Sequence, residues 1–456
     1  LTQGVDGMTV IDRKRLQNVL QAEISLFSKE HPECYKLYQR AKGCLLDGVP
    51  MNWMVRWAGG FPLFVKEAKG ASFTCADGKH FIDFCLGDTG AMVGHSPEKP
   101  MQLIAEQLKK GITFMLPTED AIWVGEELQR RFGLKYWQTT LTATDANRFV
   151  LRLARHITKR PYVLVFDYCY HGSVDETFIT LNDGIPGPRP GAIGPQVNPA
   201  ITTRVVPWNN LQALEQALAP GDVACVLAEP VMTNIGIIHP QPGYHEALRE
   251  LTKKYGTLLV IDETHTMCTG PGGYTAAHGL KPDILTVGKT IGSGIPAAVY
   301  GFTEEIGDMV SKSIKVDESD IGGIGGTLAG NALSLAAMRA TLENALDQKT
   351  FDHTIPLAVR FTDGVKEVID ELKLPWVINR LGCRAEYWFC DRLPQNGGEA
   401  EAAVDSELDR YMHLAALNRG ILMTPFHNMA LIAPDITEKE IDTHTQVFRE
   451  AVTKII

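Results

Sequence analysis

The stretch Leu258-Leu-Val-Ile-Asp-Glu-Thr-His265 and the following Asp283-Ile-Leu-Thr-Val-Gly-Lys-Thr-Ile-Gly-Ser-Gly-Ile-Pro296 decide how this chain reads. Each contains a short apolar run, the pattern of a strand buried on both faces. The first run ends on Asp262, and the second is followed, after Gly288, by Lys289. Open α/β sheets hold their ligands outside the carboxyl ends of their strands. An acid and a lysine at consecutive strand ends can therefore face the same ligand. Taken singly, Asp262 reads equally as a helix cap and Lys289 as a solvated loop residue.

Working outward, the same alternation recurs. Apolar runs at Tyr162–Phe166 and Ala224–Ala228 are interleaved with helical stretches at Pro100–Lys110, Asp120–Phe132 and Asp145–His156. Buried strands alternating with helices predict a mostly parallel α/β sheet. Asn182–Pro199 is rich in Gly and Pro and reads as an irregular surface loop. Ala329–Leu346 reads as a long helix. On the N-terminal side, Asp12–Ala41 carries helix signals broken at Pro32, and Phe64–Phe84 reads as a β-hairpin turning at Ala76-Asp77-Gly78-Lys79. Arg360–Ile456 mixes helices with short strands such as Arg384–Phe389 and Gly420–Met423. The expected organisation is an N-terminal segment over 1–98, a large domain over 99–345 and a small α+β domain over 346–456.

Composition narrows the function. The chain has 456 residues, 45% hydrophobic and 21% charged, which excludes a disordered or collagen-like protein. Lys plus Arg number 44 against 54 Asp plus Glu, a net charge of −10. Without a basic block, no nucleic-acid partner is expected. No apolar stretch approaches the ~18 residues of a membrane span. The start Leu1-Thr2-Gln3-Gly4 has no basic or apolar region of the kind a secretory signal needs, so none is expected. Nine scattered Cys, with no C-x-x-C pair, predict reduced thiols in a cytoplasmic protein. Without H-E-x-x-H or zinc spacing, no metal is expected.

The two strand-end segments, taken with their flanks, resemble the class III aminotransferase family of fold-type I pyridoxal-phosphate enzymes. The likeness is spread over about residues 60 to 430. It implies a large domain with a mostly parallel seven-stranded sheet flanked by helices, plus a smaller domain built from both chain ends. Lys289 matches the lysine that covalently carries pyridoxal 5′-phosphate and later moves the substrate proton. Asp262 matches the acid paired with the pyridine nitrogen. Thr264 stands where the family has Val against one ring face, and Tyr170, in Tyr170-His171-Gly172, matches the aromatic stacked on the other. His171 orients Tyr170 or the cofactor, or is simply packed. Thr142-Ala-Thr-Asp-Ala-Asn147 stands in for a Ser-Gly-Thr-Glu-Ala-Asn phosphate loop, with Ala143 and Thr144 as contacts at a helix N-terminus. Ala143 departs from the family's Gly, which tolerates backbone angles that Ala does not. Glu229 opens the family's Glu-Pro-Val strand end. Gly325–Asn331 matches a segment whose Thr, here Thr327, reaches the partner subunit's phosphate, which implies a homodimer with shared active sites.

On the substrate side, many α-ketoglutarate-specific members have a Glu where this chain has Asn234, paired with a C-terminal Arg. Gly420–Met429 contains no Arg. The combination resembles the branch of glutamate-1-semialdehyde aminomutases and β-amino-acid or amine transaminases. Trp53, Trp57 and Phe426 are expected around an apolar pocket. Arg56 or Arg384 either holds a substrate carboxylate or sits in a salt bridge. The resemblance thus implies a ping-pong transaminase taking a β-amino acid or primary amine as donor and pyruvate or α-ketoglutarate as acceptor. An aminomutase or racemase on the same fold is the alternative.

Overall fold

The computed structural model describes residues 8–194, 197–314, 322–425 and 427–456. It divides into two compact units. One contains the chain up to Pro97, Lys349–Leu393 and Ala403–Ile456; the other contains Glu98–Gln348 and Pro394–Ala402. The return of Pro394–Ala402 to the second unit has no counterpart in the three-segment sequence reading. Close packing explains it. A Cβ on Gly397 would lie 2.4 Å from the Asp167 carbonyl oxygen, so only glycine lets this segment approach, and Asn209 Nδ2 donates to the Gln395 carbonyl at 2.8 Å.

The second unit is built on a seven-stranded sheet. Its strands are β1 (Tyr136–Thr140), β2 (Tyr162–Phe166), β3 (Thr203–Val206), β4 (Val223–Ala228), β5 (Leu258–Asp262), β6 (Ile284–Val287) and β7 (Ala298–Phe302). They lie in the order β1-β7-β6-β5-β4-β2-β3. All run parallel except β7, which is antiparallel to both neighbours. β4 is buried along its whole length and β5 almost so, as their apolar runs require.

The helix Ala143–Thr158, α1, covers one face of this sheet. Its buried positions Ala146, Asn147, Val150, Leu151, Leu153 and Ala154 fall on one stripe at helical spacing. All of these but Asn147 join Val163, Val165, Leu227, Val260 and Ile284 in a common core. Burying each large aliphatic side chain contributes about 1.5–3 kcal/mol. Thr142 starts the helix, its Oγ1 accepting from Asp145 N at 3.1 Å, a cap worth ~1 kcal/mol.

The start of Asn182–Pro199, expected to be irregular, belongs to a hairpin in which Ile179–Asn182 pairs with Ile185–Pro188. Asp183 and Gly184 both have positive φ, the requirement of a two-residue turn, and this Asp-Gly signal was readable in the sequence. The long helix expected over 329–346 spans Ala332–Asn344, capped by Asn331.

The first unit begins with helices Arg13–Glu30 and Pro32–Ala41, broken at His31. The expected hairpin is present as Ser72–Cys75 against His80–Asp83, and Val65–Lys69 adds a third strand. A separate antiparallel sheet joins Val377–Leu381, Arg384–Trp388 and Met429–Leu431. No described helix is long and apolar enough to cross a membrane.

Candidate active site

The parallel strands deliver their carboxyl ends to one edge of the sheet. β5 brings Asp262, β6 leads through Gly288 to Lys289, β4 leads to Glu229, β2 leads to Tyr170 and His171, and β1 leads to the N-terminus of α1. The parallel register sets Asp262 beside Thr286.

Asp262 is 3% exposed, and a bare carboxylate there would be costly. Three donors support it. Asn147 Nδ2 and His171 Nδ1 reach Oδ2 at 2.8 and 2.9 Å, and Thr264 N reaches Oδ1 at 3.1 Å. Burial alone would push its pKa up, but the hydrogen bond and charge of His171 outweigh it and hold the carboxyl down at about 2. His171 is itself buried, which opposes protonation, yet Cys169 and Asp262 raise its pKa overall. The contact favours the ionised carboxylate, with His171 Nδ1 as its donor.

Asn147 ties the group together. Besides Asp262, its Nδ2 donates to the His171 carbonyl at 3.1 Å, and its Oδ1 accepts from Thr286 Oγ1 at 2.8 Å. It is fully buried. The sequence reading gave it no role, although it closes the Thr142–Asn147 segment. Thr286 was likewise missed; its signal is the register opposite Asp262.

The turn after β2 packs on the start of α1. Gly172 has φ 83°, and a Cβ there would lie 2.2 Å from Thr144 Oγ1. Ser173 N donates to that oxygen at 3.0 Å. Gly288 makes the matching approach from β6, its would-be Cβ 3.1 Å from that of Ala143. Ala143 itself is absent from the residues of positive φ, so the family's glycine is not needed for backbone angle here. The N–H groups of Ala143 and Thr144 precede the first intrahelical bonds and carry the positive end of the helix dipole, an anion-binding arrangement.

Lys289 is half-buried and held at φ 53°, a left-handed conformation that costs a non-glycine residue energy. Its Nζ lies 2.9 Å from His265 Nε2. Nothing in the sequence alone gives His265 this role. Tyr170 is half-buried, with its ring centroid 6.4 Å from that of Phe178. Thr264 is buried, and its Oγ1 meets no hydrogen-bond partner among the described residues, the kind of orphan a bound polar ligand satisfies.

Glu229 is buried and bound by the Thr233 hydroxyl and backbone N–H. Burial dominates and pushes its pKa up to about 7. Glu263 faces away into structure, accepting from Thr266 Oγ1 at 2.5 Å and Tyr274 N at 3.1 Å. Asn234 Nδ2 donates to the Tyr168 carbonyl at 2.9 Å. Thr327 is exposed on a turn ahead of Ala332–Asn344.

The remaining substrate-side candidates belong to the first unit. Trp53 and Trp57 are half-buried and Arg56 is exposed. Trp57 lines a largely apolar cavity of about 240 Å³ with Phe61, Leu63 and Phe73. Arg384 is fully buried, with its Nη2 3.3 Å from a Glu386 carboxylate oxygen. Phe426 lies outside the described residues. In the same unit Cys34, Cys75 and Asp77 bring ligand-type atoms within 4.8 Å of one another. Both Asp77 oxygens, however, cap the helix Pro32–Ala41, accepting from Glu33 N at 2.7 Å and Cys34 N at 3.2 Å.

The donor set at the sheet edge fits pyridoxal phosphate. It offers an ionised buried carboxylate, a lysine amine, an orphaned hydroxyl and a helix N-terminus with glycine-permitted close packing. Comparison with known proteins agrees. The family model for class III aminotransferases matches residues 53–452. A glutamate-1-semialdehyde 2,1-aminomutase of Aquifex aeolicus is 30% identical over 429 residues, covering 92% of this chain and 99% of the relative. The crystal structure of a glutamate-1-semialdehyde aminomutase from Pseudomonas aeruginosa PAO1 superposes with a TM-score of 0.95 at 45% identity, covering 98% of this chain and all of that one. A lysine-to-alanine variant of that protein in complex with PMP matches with a TM-score of 0.96. An omega-transaminase from Sphaerobacter thermophilus follows at 0.83 and 26% identity, covering 92% of this chain and 97% of that one. The chain belongs to the class III aminotransferase family and is a pyridoxal-phosphate-dependent enzyme.

Proposed function

We propose that the enzyme is a transaminase that moves an amino group from a β-amino acid or a primary aryl or alkyl amine to a keto acid such as pyruvate or α-ketoglutarate. The observation that carries this reading is the buried Asp262 carboxylate, kept ionised by His171, on the strand end next to the one leading to Lys289. Bound pyridoxal phosphate supplies the electron sink for charge that develops at the carbon losing its proton. Asp262 holds a proton on the pyridine nitrogen, and His171 with Asn147 keeps the carboxylate oriented and charged. The Lys289 amine, once released, takes the proton from the substrate carbon and returns it at the cofactor. Ala143 and Thr144 bind the phosphate through backbone N–H groups. Tyr170 and Thr264 cover the ring faces, and Glu229 borders the site. Thr327 contributes to the phosphate site of a second copy, so the working unit is a homodimer.

Asn234 supports the choice of donor. Its amide is engaged by the Tyr168 carbonyl, and it offers no carboxylate to restrain an arginine. Trp53, Trp57, Arg56 and Phe426 are the side chains we assign to the donor's apolar and carboxylate groups. The enzyme is tested by titrating the cofactor-loaded form with β-amino acids and arylalkyl amines, with no acceptor present. Loss of the lysine-bound absorbance with stoichiometric ketone or keto acid supports transamination. Unchanged absorbance with every donor overturns it.

A second reading is favoured by the relatives. The 45% identity to an aminomutase exceeds the 26% to an omega-transaminase. An aminomutase shifts the amino group within one molecule and needs no external acceptor. Glutamate-1-semialdehyde converted quantitatively to its 1-amino isomer, without added keto acid, supports that reading instead.

A further inference from the structure

We infer that His265 is a positioning residue for the Lys289 amine, holding it in place whenever the lysine is not bonded to the cofactor. Its Nε2 lies 2.9 Å from Lys289 Nζ. Lysine carries donors only while it is an ammonium, so Nε2 accepts and the imidazole proton sits on Nδ1. The same contact keeps a free amine from swinging away on its four-carbon stem, which otherwise has many rotamers.

Both ends of the contact are fixed by backbone that has little freedom. His265 enters a turn locked by Thr266 N and Met267 N donating to the Glu263 carbonyl, each at 3.1 Å. The Glu263 side chain braces that turn through Thr266 and the backbone of Tyr274. A Cβ on Gly273 would meet Glu263 Oε2 at 2.4 Å, so the brace is close-packed. On the other side, Lys289 is held at positive φ between Gly288, which packs on Ala143, and the buried Thr290. A strained backbone aims the lysine, and a rigid turn supplies its resting partner. Lysine is released each time a substrate amine takes its place, so the position it then adopts governs proton transfer. Reacting groups displaced by even ~1 Å lose rate steeply.

The inference rests on Lys289 being the cofactor lysine, and its test separates the two claims. The cofactor is removed, and two properties of the bare protein are followed. One is the rate at which added pyridoxal phosphate becomes covalently attached, read by its absorbance. The other is the affinity for pyridoxamine phosphate, which cannot bond to a lysine. His265→Ala is expected to slow attachment about tenfold while leaving pyridoxamine phosphate affinity unchanged, and His265→Gln, which keeps an acceptor, is expected to restore most of the rate. Unaltered attachment in His265→Ala overturns the inference, and so does an equal loss of pyridoxamine phosphate affinity, which would make His265 a fold or cofactor contact. Lys289→Ala is the control: covalent attachment in that variant refutes the assignment of the lysine itself.

Discussion

At the residue scale, the chemistry gathers around one buried carboxylate. Asp262→Asn is expected to retain the fold and bind the cofactor, yet lose about 100-fold or more in kcat, because a neutral amide no longer keeps a proton on the ring nitrogen; steady-state kinetics beside a circular dichroism spectrum checks this. The charge also bears on stability. The folded pKa of Asp262 is depressed to about 2, so its contribution is present above the ordinary carboxylate range and is lost as pH falls through about 2. The stability gap between wild type and Asp262→Asn should therefore narrow below pH ~4, measured by urea unfolding across pH. Asn147→Ala should cost about 1–3 kcal/mol, since it strips one donor from Asp262 and strands the Thr286 hydroxyl; thermal denaturation is the readout. The positions of Asp262 and Lys289 at adjacent strand ends were legible in the sequence because a short apolar run precedes each. Asn147 and Thr286 were not, because their role lies in a buried network between helix and strand that only the fold assembles.

At the element scale, the site depends on how closely the turns approach α1. Gly172→Ala adds a Cβ 2.2 Å from Thr144 Oγ1 at φ 83° and is expected to cost about 2–4 kcal/mol and weaken cofactor retention. Gly60 has a similar φ of 90° with nothing near its would-be Cβ, so Gly60→Ala should cost only about 1 kcal/mol. Comparing the two melting temperatures separates close packing from backbone strain. The central strands β2, β4, β5 and β6 were legible as continuous apolar runs. β1, β3 and β7 were not. β1 reads Tyr-Trp-Gln-Thr-Thr and is only partly buried, as an edge strand can be. β7 contains Gly301, which reads as a strand breaker until the register places Trp137 opposite it. A Cβ on Gly301 would lie 2.7 Å from that indole, so the glycine admits the ring.

At the scale of the whole molecule, α/β alternation and a mixed C-terminal region were enough to foresee a large sheet domain and a smaller α+β one. The return of Pro394–Ala402 was not, because a nine-residue excursion carries no periodic signal of its own. Thr327 is exposed in the single chain, as a residue serving a second copy would be. On the homodimer we propose, dilution to the single chain should release the cofactor in step, and Thr327→Ala should lower retention at constant dimer content; sedimentation with cofactor absorbance measures both. The most direct test of the central claim is chemical. Borohydride fixes a carbonyl cofactor to the amine that holds it, and peptide mass spectrometry then locates the label. Pyridoxyl phosphate on the peptide containing Lys289, and absent from Lys289→Ala, is the predicted result. Label on another lysine, or none on protein loaded with pyridoxal phosphate, would contradict the account.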